Sequence, residues 1–375
     1  MSHAMLNAEL ERFIDIGIPG ISAAIANRTG VIWSHTAGFA DITARVPMTR
    51  DYVFGVGSIT KTFISVLAFQ LAQEGLLSLD ATPLSILGPG IVRGIANADT
   101  ATIAQLMNHT AGIPSWEDDP AWIRDGRGET IEPSRRWGKG DTLDYIRGDS
   151  HPALFPAAQQ FSYSNTNFTL LGLVIEHVAC SSLQAELHRR IIDPLELTQT
   201  YLEGFEERNG VSQPRRYHYA TETFRQTAGI AQSFPELPRG LIDVSGSNLS
   251  VEWAAGGMVS SPRDLVRFGS ALRDGELLRP DTFDLMRRWV SARLKADAGH
   301  GLFRFETKSG FLNGHTGGVL GSTGCFWWAE KGDCVVAVLA NVGSMHAGVV
   351  PASAADVALH GDFTALAMAY AAELA

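Results

Sequence analysis

The sequence predicts an α/β fold in which an antiparallel sheet is flanked by helices and carries an inserted, mostly helical domain. Strand-like segments and a helix occur near each end of the 375-residue chain, which favours one domain built from residues 1–81 and 250–375. Residues 82–249 differ, because short helical patterns alternate there with loops rich in proline and glycine. We therefore expect this middle part to form the inserted domain.

The first predicted element is a helix over residues 6–16, where apolar side chains recur at helical spacing. Two strand-like segments follow at 20–27 and 31–38, and the short loop between them contains Gly30, which predicts a β-hairpin. Residues 58–75 then form a helix that is apolar on nearly every side and ends at a glycine. Such a helix belongs in the interior, so we expect it to cross the core.

Within the predicted insert, residues 116–140 are polar and rich in glycine, arginine, aspartate and tryptophan. We expect them to form a long surface loop, and such loops in compact domains often carry function. Regular patterning returns near Trp253 with two helices, three strands and an alanine-rich helical tail, at residues 262–272, 281–289, 302–306, 323–328, 335–339 and 352–374. These last elements would complete the domain that the N-terminal residues begin.

The composition argues against several kinds of partner. The chain has 30 Lys+Arg against 40 Asp+Glu, a net charge of −10, which disfavours binding to nucleic acid or to an anionic membrane surface. No apolar run reaches about 20 residues, so no transmembrane helix is predicted. The N-terminus shows no signal-peptide pattern and the three cysteines are scattered. We expect a cytoplasmic protein, or a periplasmic one if a signal was removed before numbering began, and the oligomeric state stays open.

The segment from Phe54 to Lys61 reads Phe-Gly-Val-Gly-Ser-Ile-Thr-Lys, a glycine turn that leads into the long apolar helix. If the helix begins at Ser58, Lys61 lies on the same face, within contact distance of the serine. A buried lysine loses hydration, its pKa falls, and its amine can then take a proton from a neighbouring hydroxyl. The alternative is a helix cap followed by a solvated lysine, and this segment alone does not decide between the two.

A second candidate segment, Tyr163-Ser-Asn165, precedes another apolar helix. In an extended backbone, residues two apart point to the same side, so the phenol and the carboxamide would face one cleft. Together they could pass a proton and hold a substrate amide. The alternative is that Ser164 or Asn165 simply caps the helix.

The third candidate segment, His315-Thr316-Gly317-Gly318, lies in a glycine-rich strand. Glycines allow a substrate backbone to lie close to a strand. The backbone amide after Gly317 could donate a hydrogen bond to an oxyanion. The alternative is a glycine-rich hairpin in which His315 is an ordinary half-buried residue.

In order, these segments resemble the motifs of penicillin-recognising serine hydrolases: Ser-x-x-Lys, then Tyr-x-Asn, then a basic residue followed by Thr-Gly. The chain is similar to the serine β-lactamase-like family, in its class C β-lactamase and D,D-peptidase branch. The similarity extends to Leu-Met-Asn-His-Thr-Ala-Gly-Ile at 106–113 and to Ala-Gly-Gly-Met-Val-Ser-Ser-Pro-Arg-Asp-Leu at 255–265. The resemblance implies a β-lactamase/transpeptidase-like fold.

The resemblance also implies a mechanism. Ser58 would attack a carbonyl, activated by Lys61 and Tyr163 acting as a coupled base. The backbone amides of Ser58 and Gly318 would form the oxyanion hole. Tyr163 would pass a proton to the leaving group, and water would then release the acyl-enzyme.

The same resemblance implies the residues that bind the substrate. They are Asn165, His315, Thr316, Gly317 and Gly318. We expect no metal and no other cofactor, because the chemistry needs none and the histidines show no His-Glu-x-x-His arrangement.

Two departures from the family pattern bear on the substrate. Class C enzymes of this branch usually carry Tyr-Ala-Asn and Lys-Thr-Gly, where this chain has Tyr-Ser-Asn and His-Thr-Gly. A lysine is a fixed cation that pairs well with a substrate carboxylate, whereas a histidine is only partly charged near neutrality. The His-Thr-Gly form is similar to D-aminopeptidases, D-amino-acid amidases and some β-lactamase-like esterases.

The D-amino-acid amidases are also similar around Pro47-Met-Thr49 and Gly112-Ile-Pro-Ser-Trp-Glu117. An acidic residue at Glu117, just after the glycine turn, could meet the free ammonium of a substrate. Asp118 and Asp119 follow it directly, so a solvated acidic loop is the alternative interpretation.

We therefore expect a serine hydrolase that forms an acyl-enzyme on small amides or short peptides, with D-amino-acid amides or D-peptides as substrates. The alternatives are a short-chain carboxylesterase of the same fold, a D,D-carboxypeptidase or weak β-lactamase, and a non-catalytic penicillin-binding sensor. The presence of Ser58, Lys61 and Tyr163 together weighs against a sensor, which has no need of all three. The expected partner is a small-molecule amide, peptide or ester, and neither nucleic acid nor membrane.

Overall fold

The structure, a computed structural model, describes residues 2–207, 210–292, 296–307 and 310–374. Its strands are β1 (Gly20–Asn27), β2 (Gly30–Asp41), β3 (Val46–Pro47), β4 (Phe54–Gly55), β5 (Tyr201–Leu202), β6 (Tyr217–Tyr219), β7 (Glu236–Leu237), β8 (Leu241–Asp243), β9 (Met258–Ser260), β10 (Val290–Ser291), β11 (Ala296–Ala298), β12 (Phe303–Thr307), β13 (Gly310–Val319), β14 (Ser322–Ala329), β15 (Val335–Ala340) and β16 (Val342–Gly343). Nine of them form one antiparallel sheet in the order β10-β11-β12-β13-β14-β15-β1-β2-β3. Two smaller sheets have the orders β16-β6-β8-β7 and β4-β9-β5.

The large sheet joins the two ends of the chain. Strand β1 pairs with β2 in the predicted hairpin and, along its other edge, with β15. Every residue of β1 and of β15 is buried. Since successive side chains point to opposite faces of a sheet, this burial requires cover on both faces. The division of the chain into domains at residues 82 and 249 stays a prediction.

Helices supply that cover. They are α1 (His3–Asp15), α2 (Thr60–Gln73), α3 (Pro83–Leu87), α4 (Pro89–Val92), α5 (Ile103–Met107), α6 (Pro120–Arg127), α7 (Asn165–Ala179), α8 (Leu183–Leu187), α9 (Glu222–Thr227), α10 (Trp253–Gly256), α11 (Pro262–Arg273), α12 (Pro280–Met286) and α13 (Phe363–Glu373), with short 3₁₀ or π segments at Gly57–Ile59, Trp116–Asp118, Asp141–Ile146, His188–Ile192, Pro238–Gly240 and Asp356–His360. On β14, the Phe326 ring lies 6.0 Å from Phe268 of α11, while the next residue, Trp327, donates from Nε1 to the Ala358 carbonyl at 2.9 Å. Neighbouring strand residues therefore contact helical segments on opposite faces of the sheet.

Helix α2 crosses the interior, as its apolar pattern predicts. All its residues from Thr60 to Phe69 are buried, and Phe63 stacks on Phe268 with ring centroids 3.6 Å apart. The helix begins at Thr60 and not at Ser58, because Ser58 lies in the 3₁₀ turn Gly57–Ile59. Among the described residues no single helix has the length and apolar character to cross a membrane, and one pair, Asn165–Ala179 with Leu183–Ile192, reaches both only across a bend of 78°.

The predicted fold class is confirmed: strands and helices mix around a large antiparallel sheet. The prediction of a long surface loop over residues 116–140 is wrong at its start. A 3₁₀ turn and α6 occupy residues 116–127, and the side chains of Trp116, Trp122 and Arg127 are buried. The two large rings pack on each other at 4.5 Å, and the apolar area that they bury outweighs the polar character of their neighbours in sequence.

Buried histidines make the fold sensitive to acid. Burial lowers the pKa of His218 and His315 to about 3 and that of His300 to about 4. As the pH falls below 6.5, these histidines become protonated in the unfolded chain but stay neutral in the folded chain, so the free energy of unfolding decreases. Each histidine contributes up to roughly 1.4 kcal/mol per pH unit between 6.5 and its own folded pKa.

We therefore expect the melting temperature to fall steeply between pH 6.5 and pH 5, which a thermal melt at several pH values measures. His300→Gln removes one of these groups and should make the slope shallower. Equal melting temperatures at pH 7 and pH 5 would contradict the assignment of these histidines as buried and neutral.

Candidate active site

Two neighbouring strands fix the turn that carries Ser58. Strand β4 pairs with β9 directly before the turn, with Gly55 opposite Val259. Gly57 has a φ of +55°, and a Cβ atom on it would lie 2.5 Å from the Gly318 nitrogen, so the turn requires glycine. Ser58 is half-buried between two buried neighbours, so its side chain is the accessible part of the turn.

Lys61 lies in the first turn of α2 and is fully buried. Its Nζ donates to Ser58 Oγ at 3.0 Å, to Asn165 Oδ1 at 2.6 Å and to the Ala255 carbonyl at 2.6 Å. The serine and lysine thus meet as their spacing predicts. The alternative interpretation, a solvated lysine, is wrong, because α2 runs into the core at this end.

The surroundings of Lys61 favour its neutral form. Burial lowers the pKa of the amine to about 7; the charges of Glu117 and Glu252 oppose this change, and that of Arg127 adds to it. An amine with this pKa is partly unprotonated at neutral pH and can accept the proton of the Ser58 hydroxyl. The pair has the geometry of an activated nucleophile and its base.

Tyr163 lies on the other side of Lys61, whose Nζ is 4.9 Å from the centre of the phenol ring. His109 stacks on the ring at 4.2 Å and accepts a hydrogen bond at Nδ1 from the Ser164 amide at 3.2 Å. The Tyr163 hydroxyl is buried and lies near the Ser58 side chain. Burial raises the pKa of this hydroxyl, although nearby Ser58 opposes the change, so the phenol stays protonated at neutral pH. This favours Lys61 as the base and Tyr163 as a proton donor.

Asn165 is the first residue of α7, and its amide is held in one orientation. Oδ1 accepts from Lys61, and Nδ2 donates to Glu117 Oε2 at 2.5 Å. A carboxylate only accepts hydrogen bonds, so the amide nitrogen must face Glu117. Ser164 occupies the N-cap position, but its hydroxyl donates to the Pro114 carbonyl and makes no cap bond, so the capping alternative is wrong for this segment.

Glu117 belongs to a buried charge cluster. Arg127 donates from Nη2 to Glu117 Oε1 at 2.6 Å and to Glu252 Oε1 at 2.9 Å. The arginine side chain is 1% exposed, that of Glu252 is 4% exposed and that of Glu117 is 13% exposed. The alternative interpretation of Glu117 as part of a solvated acidic loop is therefore wrong, because the loop folds its carboxylate inward onto Arg127.

Strand β13 brings the glycine-rich segment against the serine turn. A Cβ atom on Gly317 would lie 1.9 Å from the Val56 carbonyl oxygen and 3.0 Å from the Ser58 nitrogen. The backbones of β13 and the turn are thus in contact, which places the amides of Ser58 and Gly318 on adjoining segments. Thr316, the residue before Gly317, is half-exposed. An oxyanion hole needs two donors beside the nucleophile, and these adjoining segments carry the two predicted amides.

His315 is buried and neutral. Its Nδ1 lies 2.5 Å from the Thr316 carbonyl oxygen, which can only accept, so Nδ1 carries the proton and Nε2 presents a lone pair. Nε2 is buried and meets no partner in the part of the chain that the structure describes. Burial lowers the pKa of the ring to about 3, with a further contribution from Lys61. The ring packs against Phe303 at 5.0 Å and does not supply the cation that a lysine would bring here.

The structure brings every predicted site residue into one region and adds three groups that sequence reasoning missed. These are the Arg127 guanidinium, the Glu252 carboxylate and the Ala255 carbonyl. Glu252 stands just before the family-like Ala-Gly-Gly segment, and its acidic side chain beside apolar neighbours was the available signal. Arg127 gave no such signal, because it lies in a segment whose composition predicted solvent exposure.

The arrangement can perform acyl transfer. It offers a hydroxyl nucleophile bonded to a base of lowered pKa, a buried phenol that can donate a proton, and two backbone amides next to the nucleophile. Over residues 2–207, 210–292, 296–307 and 310–374, no group of three or more His, Cys, Asp or Glu side chains is placed to hold a metal ion.

Two solved structures with this architecture carry names of D-specific enzymes. A D-stereospecific amidohydrolase from Streptomyces sp. superposes with a TM-score of 0.78 at 29% identity, covering 93% of this chain and 100% of its own. A D-amino acid amidase from Ochrobactrum anthropi SV3, complexed with L-phenylalanine amide, superposes with a TM-score of 0.77 at 26% identity over 91% of both chains.

Sequence comparison adds a family and an esterase. The family model described as Beta-lactamase matches residues 6–359. Esterase EstB from Burkholderia gladioli is 26% identical over 287 residues, which are 72% of this chain and 69% of the esterase. Other curated relatives are 29% identical over 49% of this chain, and the match spans 34% of their own length.

Proposed function

This chain belongs to the beta-lactamase family, and from that premise we propose that it forms an acyl-enzyme on small amides or short peptides that carry a free amine. D-amino-acid amides and D-peptides are the proposed substrates. Ser58 is the proposed nucleophile, Lys61 its base and Tyr163 the proton donor to the leaving nitrogen.

In the proposed reaction, the Lys61 amine takes the hydroxyl proton as Ser58 Oγ attacks the carbonyl carbon of the substrate. The backbone amides of Ser58 and Gly318 donate hydrogen bonds to the oxygen on which negative charge develops. Tyr163 gives its proton to the leaving nitrogen and recovers one from the protonated Lys61. Water then attacks the acyl carbon and gives a proton to Lys61; the bond from that carbon to Ser58 Oγ breaks, the serine oxygen takes the proton from Lys61, and the acid product leaves.

The charge of the site is the observation that carries the substrate proposal. Glu117 and Glu252 share a single guanidinium, so the three groups leave one negative charge beside Asn165. A substrate ammonium would meet a compensating charge there. A substrate carboxylate would meet a neutral ring at His315, where related β-lactamases present a lysine.

The solved neighbours support the preference for D-configured amides, since both are named for D-stereospecific amide hydrolysis. The match to an esterase supports the second candidate, a carboxylesterase for short-chain esters. A D,D-carboxypeptidase or a weak β-lactamase is the less supported alternative, because each needs a cation for its substrate carboxylate.

A substrate panel tests the proposal: D- and L-phenylalanine p-nitroanilide, the N-acetylated D compound, p-nitrophenyl acetate and nitrocefin, each assayed with wild-type protein. We expect the free-amine D-anilide to give the highest kcat/KM and the N-acetylated compound a value at least about tenfold lower. Turnover of the ester alone would refute the amidase proposal and leave the esterase. Turnover of nitrocefin alone would favour the β-lactamase alternative.

Replacing Glu117 with glutamine should lower kcat/KM for the free-amine anilide by roughly 10- to 100-fold, the value of a hydrogen bond between charged groups. The same change should lower kcat/KM for p-nitrophenyl acetate less, because that ester carries no ammonium and loses only what Glu117 does for Asn165 and Lys61. Asp118→Asn is the matched control, since this neighbouring carboxylate belongs to an exposed residue. Equal losses on the anilide and the ester would remove Glu117 from ammonium recognition.

A further inference from the structure

A closed ring of hydrogen bonds lies behind the Ser58 hydroxyl and includes two residues that take no part in the proposed reaction, Arg127 and Glu252. On one side, Arg127 holds Glu117 at 2.6 Å, Glu117 accepts from Asn165 at 2.5 Å, and Asn165 accepts from Lys61 at 2.6 Å. Lys61 is thus connected to the guanidinium through two intervening side chains.

The ring closes through the short helix α10. Arg127 donates to the Glu252 carboxylate at 2.9 Å, and the Glu252 carbonyl accepts from the Ala255 amide at 2.8 Å. The Ala255 carbonyl in turn accepts from Lys61 at 2.6 Å. Two of the three partners of the Lys61 amine are therefore linked to Arg127: Asn165 through Glu117, and the Ala255 carbonyl through Glu252.

The burial of this pair is not needed to fill space. Taking charged side chains out of water is costly, and apolar residues of similar volume often stabilise a core at least as well. Arg127 and Glu252 are nonetheless 1% and 4% exposed. Packing alone does not account for this burial, whereas the hydrogen bonds that lead from the pair to Lys61 offer a further role.

We propose that Arg127 and Glu252 are positioning residues, which hold the Lys61 amine in place and balance the charge around it. The inference rests on the proposed function only in taking Ser58 as the nucleophile and Lys61 as its base. It assigns neither residue a contact with the substrate.

The titratable and charged groups that face Lys61 come from every element packed around it: Glu117 from the 3₁₀ turn Trp116–Asp118, Arg127 from α6, Glu252 from the start of α10, Tyr163 from the entry to α7, His109 from the end of α5 and His315 from β13. Burial keeps the tyrosine and both histidines uncharged at neutral pH. The balance at the amine is therefore set by two carboxylates against one guanidinium; burial raises the pKa of one of them, Glu252, and the charge of Arg127 opposes that change. Removing a carboxylate disfavours protonated Lys61, whereas removing the guanidinium favours it.

The test follows the reactivity of Ser58 without requiring the natural substrate. The rate at which a fluorophosphonate probe labels the protein is measured from pH 5.5 to pH 9. The acidic limb of this profile, where the rate rises with pH, reports the ionisation of the base. In the wild-type protein this limb should lie near pH 7. Glu252→Gln should move it down by about one pH unit, because one nearby negative charge is lost. The double variant Arg127→Met/Glu252→Gln should move it back to the wild-type value or above.

Glu186→Gln is the matched control. Glu186 forms an ion pair with Arg190 at 2.7 Å, with side chains 5% and 7% exposed, and Arg190 also binds Glu74 at the end of α2. Glu74 is thirteen positions after Lys61, about 20 Å along a helix, which is beyond the screening length of salt solutions. This variant should lower the melting temperature and leave the acidic limb where it is. Thermal melts of all variants confirm that each is folded.

A limb that stays within about 0.2 pH unit of wild type in Glu252→Gln would overturn the inference. The inference would also fail if the acidic limb moved in the same direction in Glu252→Gln and in the double variant, in proportion to the melting temperature that each loses. That is the result expected of a pair with a purely structural role. The proposed function fails separately: undiminished labelling of Ser58→Ala would remove the nucleophile. Labelling that depends on Ser58 with an unmoved limb would remove only the role of Arg127 and Glu252.

Discussion

Replacing Ser58 with alanine is expected to lower kcat by about 10⁴-fold or more on every substrate that the protein turns over. The hydroxyl oxygen is the atom that would bond to the acyl carbon, and it is the hydroxyl that the Lys61 amine contacts, at 3.0 Å. Steady-state rates on an amide and an ester measure the loss. An identical loss on the amide and the ester would show that both reactions use the same nucleophile.

The same variant should fold as well as the wild type. Ser58 is half-buried, and Lys61 keeps its bonds to Asn165 and to the Ala255 carbonyl. We expect the melting temperature to change by less than about 3 °C. Residual activity within tenfold of wild type, in a protein with an unchanged melt, would refute Ser58 as the nucleophile.

Replacing Gly317 with alanine is the second large effect that we expect, with a loss of kcat of about 10²- to 10³-fold, the size of losing one oxyanion donor. The added Cβ would lie 1.9 Å from the Val56 carbonyl oxygen, which belongs to the backbone and cannot rotate away. At this position β13 is held by β14, with Gly317 opposite Gly324, and the pairing with β12 begins three residues earlier, at Gly314. The serine turn and β13 must separate, and the amides of Ser58 and Gly318 would no longer converge.

Gly140→Ala is the matched control for this substitution. Its φ is −106°, which any residue adopts, and a Cβ atom there meets nothing within 4 Å. We expect unchanged kcat and an unchanged melt. If Gly317→Ala also kept full activity, β13 would not supply the oxyanion donor.

The contacts between motif residues are the part of the candidate site that the sequence could predict, because each motif is local. The spacing of Ser58 and Lys61 places them together on any helix or tight turn. The glycines of β13 indicate that another backbone segment, here the serine turn, lies close to the strand. The hairpin and the three C-terminal strands were equally readable from their apolar patterns. These features depend on residues that are neighbours along the chain.

The cluster of Arg127 and Glu252 could not be read in the same way. Its members are 125 positions apart, and the segment that holds Arg127 has the composition of an exposed loop. Two tryptophans in this segment and just before it, Trp116 and Trp122, turn it inward by packing on each other. Without knowledge of that packing, a single arginine among polar residues carries no sign of burial.

The pairing of β1 with β15 has a consequence for how the enzyme is made. As the ribosome extends the chain, β1 and β2 can pair early, but the other edge of β1 stays open until β15 emerges. An open edge on an apolar strand invites pairing with other chains. Strand β13, which completes the site beside Ser58, is finished only at Val319. Nascent chains that end before that residue would therefore be both inactive and prone to aggregation, so activity would first arise late in synthesis.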